Sequence, residues 1–441
     1  MMRQYFEAVA EAVFAALDEA EQATLWLSGE QSDFIRFNHG KVRQAGQVKQ
    51  CYLTVQLVLG NKHVAQTVTL SHVLDEDQHM LLGVLADLRD ALGDVADDPY
   101  LLLNTALQST QRSEASRLPP AEQMVADIVA AAAGADLVGI LAAGPVYMGF
   151  ANSLGQRNWH ETASWNFDWS LYSHGDKAVK RGSAGTEWDA AALQTAMAEA
   201  RAQLALLARP AKTLAPGSYR AYLTPAAVGE LVSMLNWGGF SEREMRSKRS
   251  SLLKLQAGEV SFSPMLSLSE NTAAGLAPAF QAEGFIKPAE VALVREGKYA
   301  GSLVSPRTAR EFDLPSNGAG AGEGSEALDM AAGDLPMAEA LKALGSGLYV
   351  SNLWYLNWSD RAAARITGMT RFACFWVEDG QIVAPLNVMR FDDSLFRLLG
   401  SELEALTAER ELLVDAGSYG GRSSTSQRLP GALLRSLNLV L

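Results

Sequence analysis

Residues 219–240 read YRAYLTPAAVGELVSMLNWGGF, and they carry the plainest structural message in the chain. Residues 219–223 form a short β-like run. Thr224 suits a helix N-cap and Pro225 the first helical position. Val228, Leu231, Val232 and Leu235 follow at i, i+3, i+4 and i+7, one face of a buried helix. Gly238 and Gly239 end it. A strand that feeds a buried helix is a good platform for chemistry, yet this helix has no His, no Cys and a single acid, Glu230.

The strand-helix unit opens the largest of three expected domains in an α+β protein. Residues 1–110 read as an N-terminal helix plus an antiparallel sheet. Phe6, Val9, Val13, Phe14 and Leu17 give the helix its apolar face. β-like runs follow at 24–27, 33–38, 41–44, 50–59 and 63–70, with hairpin signals at Asn38-His39-Gly40 and Gly60-Asn61. A helical stretch at 73–92 closes the unit. Residues 108–117 are polar and read as a linker. A middle α/β unit, 118–210, has helices at 120–133 and 186–207 around β-rich residues 137–171. There Trp165, Phe167, Trp169 and Leu171 alternate with Ser164, Asn166, Asp168 and Ser170, so one strand face is aromatic and the other polar.

The C-terminal domain, 216–441, reads as β-rich with a few helices. Its expected strands lie at 259–262, 265–268, 291–296, 348–352, 370–377 and 382–387, and its further helices at 336–344 and 393–405. Residues 317–325 (NGAGAGEGS) read as a mobile surface loop. No Lys-Ser/Thr follows them, as a phosphate-binding loop would require.

Composition narrows the function classes. The 441 residues carry 37 Lys and Arg against 50 Asp and Glu, a net charge of −13, which argues against sequence-independent binding to nucleic acid. The two cysteines, Cys51 and Cys374, lie in separate β-like runs and read as buried free thiols of a reducing compartment. Glu7, Glu11 and Asp18 interrupt any signal-peptide core. The apolar stretch 128–151 contains Asp136, which costs about 2.5–3.5 kcal/mol inside a membrane. A cytoplasmic protein without a membrane segment is expected.

No familiar catalytic pattern is present. The six histidines all precede residue 175, so the largest domain has none. His160-Glu161 lies on a strand, where the two side chains point to opposite faces, and His160 reads as a surface residue. Gly-x-Ser-x-Gly is absent. Cys374 alternates with Phe372 and Trp376 and reads as an inert core thiol. The acids Glu270 and Glu283 are the one carboxylate pair offering a candidate catalytic site.

Several stretches, in order along nearly the whole chain, carry a family resemblance. They are DFIRFNHGKVRQAG near the N-terminus, SENTAAGLAPAFQAEGF, LDMAAGDLPMAEALKALGSGLYVSNL, and ITGMTRFACFWVEDGQIVAPLNVMRF. Together the set resembles the TldD/PmbA family, whose members are described as modulators of DNA gyrase and as peptide-maturation metalloproteases. Glu283-Gly284 match the end of the family's Asp-Asp-Glu-Gly, with Gln281-Ala282 in place of the two acids.

In the TldD-like kind of member, the helix matching 225–238 carries His-Glu-x-x-x-His, and a Cys near the C-terminus adds a zinc ligand. Aligned on Gly229, those positions hold Ser233, Met234 and Gly238, and the Cys position falls near Ser418-Tyr419. The chain therefore resembles the PmbA (TldE) kind, which lacks the metal site. The resemblance implies no cofactor here, with zinc only in a TldD-type partner, and a homodimer or a heterodimer with that zinc metalloprotease. It implies degradation or trimming of extended peptides, with Trp165, Phe167, Trp169, Tyr349 and Trp354 as candidate walls for the peptide. The rival expectations are a self-sufficient hydrolase built on Glu270 and Glu283, and a regulator of DNA gyrase or of a toxin system.

Overall fold

The computed structural model describes residues 2–175 and 177–440. The expected runs at 24–27 and 33–38 are one long strand, β1 (Gln22–Asn38), and those at 41–44 and 50–59 are another, β2 (Lys41–Leu59). Between them, His39 and Gly40 both take left-handed backbone angles, φ 50° and 67°, which suits a two-residue hairpin turn. β3 (Lys62–Thr69) follows after Gly60-Asn61. Helix α1 (Met2–Ala15) precedes β1, and α2 (Leu74–Leu92) follows β3.

β4 (Thr110–Ser113) lies within the stretch expected as a linker. Then come α3 (Ala121–Ala131), β5 (Asp136–Asn152), β6 (Arg157–Tyr172), β7 (Ala178–Gly185) and α4 (Ala190–Leu207). All seven strands form one sheet in the order β3-β2-β1-β5-β6-β4, with β7 also on β6. β1 pairs with β5 antiparallel from Thr24↔Asn152 to Phe37↔Gly139. The stretches 1–110 and 118–210 thus share one continuous sheet.

The sheet's two faces differ. Strand alternation puts Leu25, Leu27, Ile35 and Phe37 of β1 on one side. Helices α1 and α2 cover the part around Leu25, Leu27, Leu53 and Val55. α3 and α4 cover the part around Ile35, Phe37, Leu141, Phe167 and Trp169. The opposite face is mixed: Trp26 and Phe150 lie on it with the polar residues Asn158, His160, Thr162 and Ser164 of β6, which are all buried. The third unit lies against them.

That unit is a 13-stranded sheet with short helices. β8 (Gly217–Leu223) sits inside it, antiparallel to strand Ser426–Leu439 and parallel to strand Gly347–Val350. α5 (Pro225–Ser233) follows directly. The helix expected at 393–405 is not formed as such. Strand Arg390–Ser394 and a π-type turn, Arg397–Ser401, lead into strand Leu403–Val414, which pairs with Ser426–Leu439. Residues 259–262 form no strand, and the run at 265–268 contributes only to Leu268–Glu270. The mixed α+β class stands.

The loop 317–325 is the clearest correction. Glu323 is buried, and its carboxylate accepts from Ser241 Oγ (2.5 Å), Arg243 N (2.9 Å) and Ser305 N (2.8 Å). Asn317 bonds Val304 N and Ser302 O, both at 2.8 Å. Glycine content suggested a mobile loop, but these polar anchors make it a strap sewn to its surroundings. Among the described residues no helix is long and apolar enough to cross a membrane.

Candidate functional site

The helix that the family resemblance singles out is α5, where no metal ligand was expected in this chain. Thr224 caps the helix, its Oγ1 accepting from Ala227 N (3.3 Å) and donating to Ser351 O (2.6 Å). Val228, Leu231, Val232 and Leu235 are buried together with the sheet's inner face. At Gly229 a Cβ would lie 3.0 Å from Leu413 and 3.2 Å from Gln427 Oε1, so α5 sits closely on strands Leu403–Val414 and Ser426–Leu439. A short 3-10 turn, Met234–Asn236, continues it. Asn236 bonds Ser325 in both directions at 3.1 Å, its Nδ2 donating to Ser325 O and its Oδ1 accepting from Ser325 N. The end of α5 is thereby tied to the strap.

The three positions singled out on this helix do not fit a zinc ion. Ser233 Oγ accepts from Gln427 Nε2 (3.0 Å). Met234 is buried in the apolar core, where a thioether can neither act as a base nor suit zinc. Gly238 has no donor atom and takes φ 84°; a Cβ there would meet Glu244 Cγ at 2.9 Å. Among the described residues no three His, Cys, Asp or Glu side chains group as metal ligands. Ser418 and Tyr419 lie in an exposed loop, 415–425.

The carboxylate pair does not come together as a site. Glu270 is buried, and its two oxygens accept from Ser325 Oγ and from the backbone of Glu326 and Ala327 (3.1 Å). Its acceptor capacity is taken up in holding the strap. Glu283 shares none of these partners: it accepts from Gln281 Nε2 (3.1 Å), and burial raises its carboxyl above the usual range. Its neighbour Gly284 takes φ 81° and lies so close to Phe150 that a Cβ would collide with that ring. Gly284 O accepts from Asn104 Nδ2 and Gln156 Nε2, both 2.7 Å. Glu283-Gly284 therefore sits at the join between the third unit and the first sheet.

The candidate walls divide. Phe167 and Trp169 are covered by α3 and α4 and present nothing to a peptide. They face the helices because apolar alternation on β6 points that way. Trp165 meets Trp188 edge to face on the same side, with ring centres 4.7 Å apart. Tyr349 packs between Phe375 and Tyr222. Trp354 is 49% exposed and alone of the five offers an open face. The cysteines are free and buried; burial pushes the Cys51 thiol up to about 12 and that of Cys374 upward too.

The polar face of the first sheet holds residues that the sequence reading missed. His160 is buried, not at the surface. Its Nε2 lies 3.1 Å from Leu276 O, and burial, with Arg112 adding to it, holds the imidazole down to about 4. Arg422, from loop 415–425, reaches the same face. Its guanidinium donates to Gly144 O (2.9 Å), Ser164 O (2.8 Å) and Ser164 Oγ (2.9 Å). Burial lowers it to about 10, against the pull of Glu30. Asp98 lies at the same join. Burial opposes its ionisation, but hydrogen bonds from Arg307 (2.5 Å) and His63 (3.0 Å) hold it at about 2. The alternating polar residues of β6 were the available signal, but alternation alone reads as a solvent face.

Comparison with known proteins bears on the third unit first. Residues 216–440, just over half of the chain, match the model of the PmbA/TldA metallopeptidase C-terminal domain. The chain belongs to this family. Solved structures similar to the whole chain include a candidate modulator of a DNA gyrase from Thermotoga maritima (TM-score 0.78, 14% identity, 99% of this chain and 100% of that one). TldE from Thermococcus kodakarensis is similar as well (0.79, 12% identity, 99% and 100%). So is a candidate modulator of DNA gyrase from Bacteroides thetaiotaomicron (0.76, 14% identity, 99% and 98%). No curated protein matches the chain. At these identities the neighbours establish a shared fold. Within the PmbA/TldA family fold, α5 has a capped start, a core face and close packing, and Ser233, Met234 and Gly238 lie at its end and just beyond it.

Proposed function

We propose that this protein is a zinc-free, PmbA/TldE-like member of its family, acting as a non-catalytic subunit in the proteolytic processing of extended peptides. The carrying observation is α5 itself. The helix is fully built, but the three critical positions at and beyond its end hold a bonded hydroxyl, a core thioether and a glycine with no side chain. A hydrolytic metal site needs several converging N, S or O ligands and an open position for water. On this reading the catalytic zinc belongs to a TldD-type partner that carries His-Glu-x-x-x-His, and this chain completes the chamber and binds the peptide. A cytoplasmic location accords with the reading.

The rival hydrolase built on Glu270 and Glu283 is disfavoured by the bonds that already occupy Glu270. Reconstitution tests the proposal. Unfolded casein and short extended peptides are incubated with this chain, with a TldD-type chain, and with both. Cleavage is expected from the mixture, and not from this chain alone. Zinc-dependent cleavage by this chain alone would overturn the proposal.

A further inference from the structure

Strand Asn352–Asp360 pairs with strand Arg365–Arg371, and Asn352 lies opposite Arg371 in that ladder. Arg371 has unusual surroundings. Its guanidinium carbon lies 4.9 Å from the ring centre of Trp354 and 5.4 Å from that of Phe372. Lys180 Nζ approaches the Phe372 ring at 6.0 Å and is itself held by Asp168 at 3.0 Å. Among the described residues the Arg371 side chain has no hydrogen bond and no ion pair, although its backbone oxygen accepts from Ser351 Oγ and Cys374 Sγ. Among the described arginines Arg371 is set apart by lying over two aromatic rings at once.

Two further observations point at the same place. Phe372 and Tyr355 both adopt left-handed backbone angles, φ 62° and 57°. Bulky side chains rarely do so, and such strain gathers at functional sites. Asn352 keeps its side-chain oxygen buried without a partner, and a buried unpaired acceptor calls for a donor. Trp354 and Tyr355 are 49% and 74% exposed, so the cluster is open to solvent.

We infer that Arg371, held between Trp354 and Phe372, is a receptor for a carboxylate group carried by an extended peptide. The chemistry follows from the geometry. Stacking on two aromatic faces fixes the guanidinium plane and leaves its N–H edge free. A carboxylate fits that edge with two parallel charge-assisted hydrogen bonds. Pre-orientation removes much of the ordering cost of binding. Among the described residues strand Asn352–Asp360 is paired in the sheet only with Arg365–Arg371, so its main chain can take an added strand. The inference rests on the peptide-processing reading and specifies which end or side chain of the peptide is gripped.

The test uses the purified full chain and three fluorescein-labelled, valine-rich hexapeptides, read by fluorescence anisotropy. One has a free C-terminal carboxylate, one is amidated, and one is amidated with an internal glutamate. The free acid is expected to bind at least tenfold more tightly than the plain amide. Arg371→Gln should erase that preference. Arg371→Lys, which keeps the charge but not the fork, should retain only part of it and serves as the second variant. If the glutamate peptide matches the free acid, the receptor takes a carboxylate from either the terminus or a side chain; if it matches the amide, it takes only the terminus. Equal affinity for all three peptides, or a preference that survives Arg371→Gln, would overturn the receptor while leaving peptide binding intact. Absence of binding by every peptide would overturn the receptor and the peptide-processing reading together.

Discussion

Two glycine-rich loops flank α5, and they behave differently. Loop 317–325 holds four glycines and two alanines in nine residues, yet Asn317, Glu323 and Ser325 sew it into the third unit. Loop 415–425 holds three glycines, leaves Tyr419 fully exposed, and crosses to the first sheet. It is held there by Arg422 and by a bond from Gln50 Nε2 to Gly420 O (3.0 Å). Composition alone would class both as flexible linkers. The difference lies in how many buried polar side chains anchor each. The internal strap has several spread along it, whereas the crossing loop has its strongest anchor at one end. A loop's order is thus set by its few polar anchors more than by its glycines.

The contrast can be broken most severely at Glu323. Replacing it with Ala leaves the donors of Ser241, Arg243 and Ser305 without their shared acceptor, at roughly 1–3 kcal/mol for each buried donor that finds no new partner. A loss on the order of 3–5 kcal/mol is expected as a lower urea midpoint at unchanged slope. A change below about 1 kcal/mol would mean that the strap is not held as described.

The next effect appears on acidification. The folded value of His160 is about 4 and its unfolded value about 6.5. The unfolded chain therefore takes up the proton first as pH falls. The stability contributed by burying the neutral ring is complete above about 6.5 and is lost progressively down to about 4. At roughly 1.4 kcal/mol per unit, this amounts to about 3 kcal/mol. His160→Gln should flatten that part of the stability-against-pH curve. An unchanged slope would mean that His160 is not buried under the third unit.

Arg422→Ala should cost about 2 kcal/mol through its lost hydrogen bonds. Its local signature should be larger than its global one: faster amide exchange and proteolysis confined to 415–425. Equal exchange in the two proteins would contradict the anchoring role. The smallest effect belongs to Gly322, where a Cβ meets nothing within 4 Å. Gly322→Ala is expected to stay within about 0.5 kcal/mol of the parent, which would show that the strap tolerates changes between its anchors.

How much of this was legible in the sequence varies by element. β8 and α5 were, because Thr224, Pro225 and a four-residue apolar face all agree on one answer. The long C-terminal hairpin was not. Residues 403–414 are rich in Leu, Glu and Ala, which favour helix. The bulges between Leu403 and Ala405 and between Leu406 and Arg410 erase the alternation that marks a strand. Within Ser426–Leu439, Pro430 and Gly431 read as breakers. In the fold Pro430 lies opposite Arg410 beside a bulge, and Gly431 is required because Tyr222 leaves no room for a Cβ. The polar face of β6 was misread for a different reason: what covers it is more than a hundred residues away in sequence. Ser233, Met234 and Gly238 drew attention only through the family resemblance, since no physical signal marks an absent histidine.

The central claim is that α5 keeps a metalloprotease scaffold without its metal. Zinc content, measured by inductively coupled plasma mass spectrometry on the chain purified without chelator, tests it most directly. The account predicts zinc far below one ion per chain, unchanged after incubation with excess zinc and desalting. One tightly held zinc per chain, kept through desalting, would contradict it.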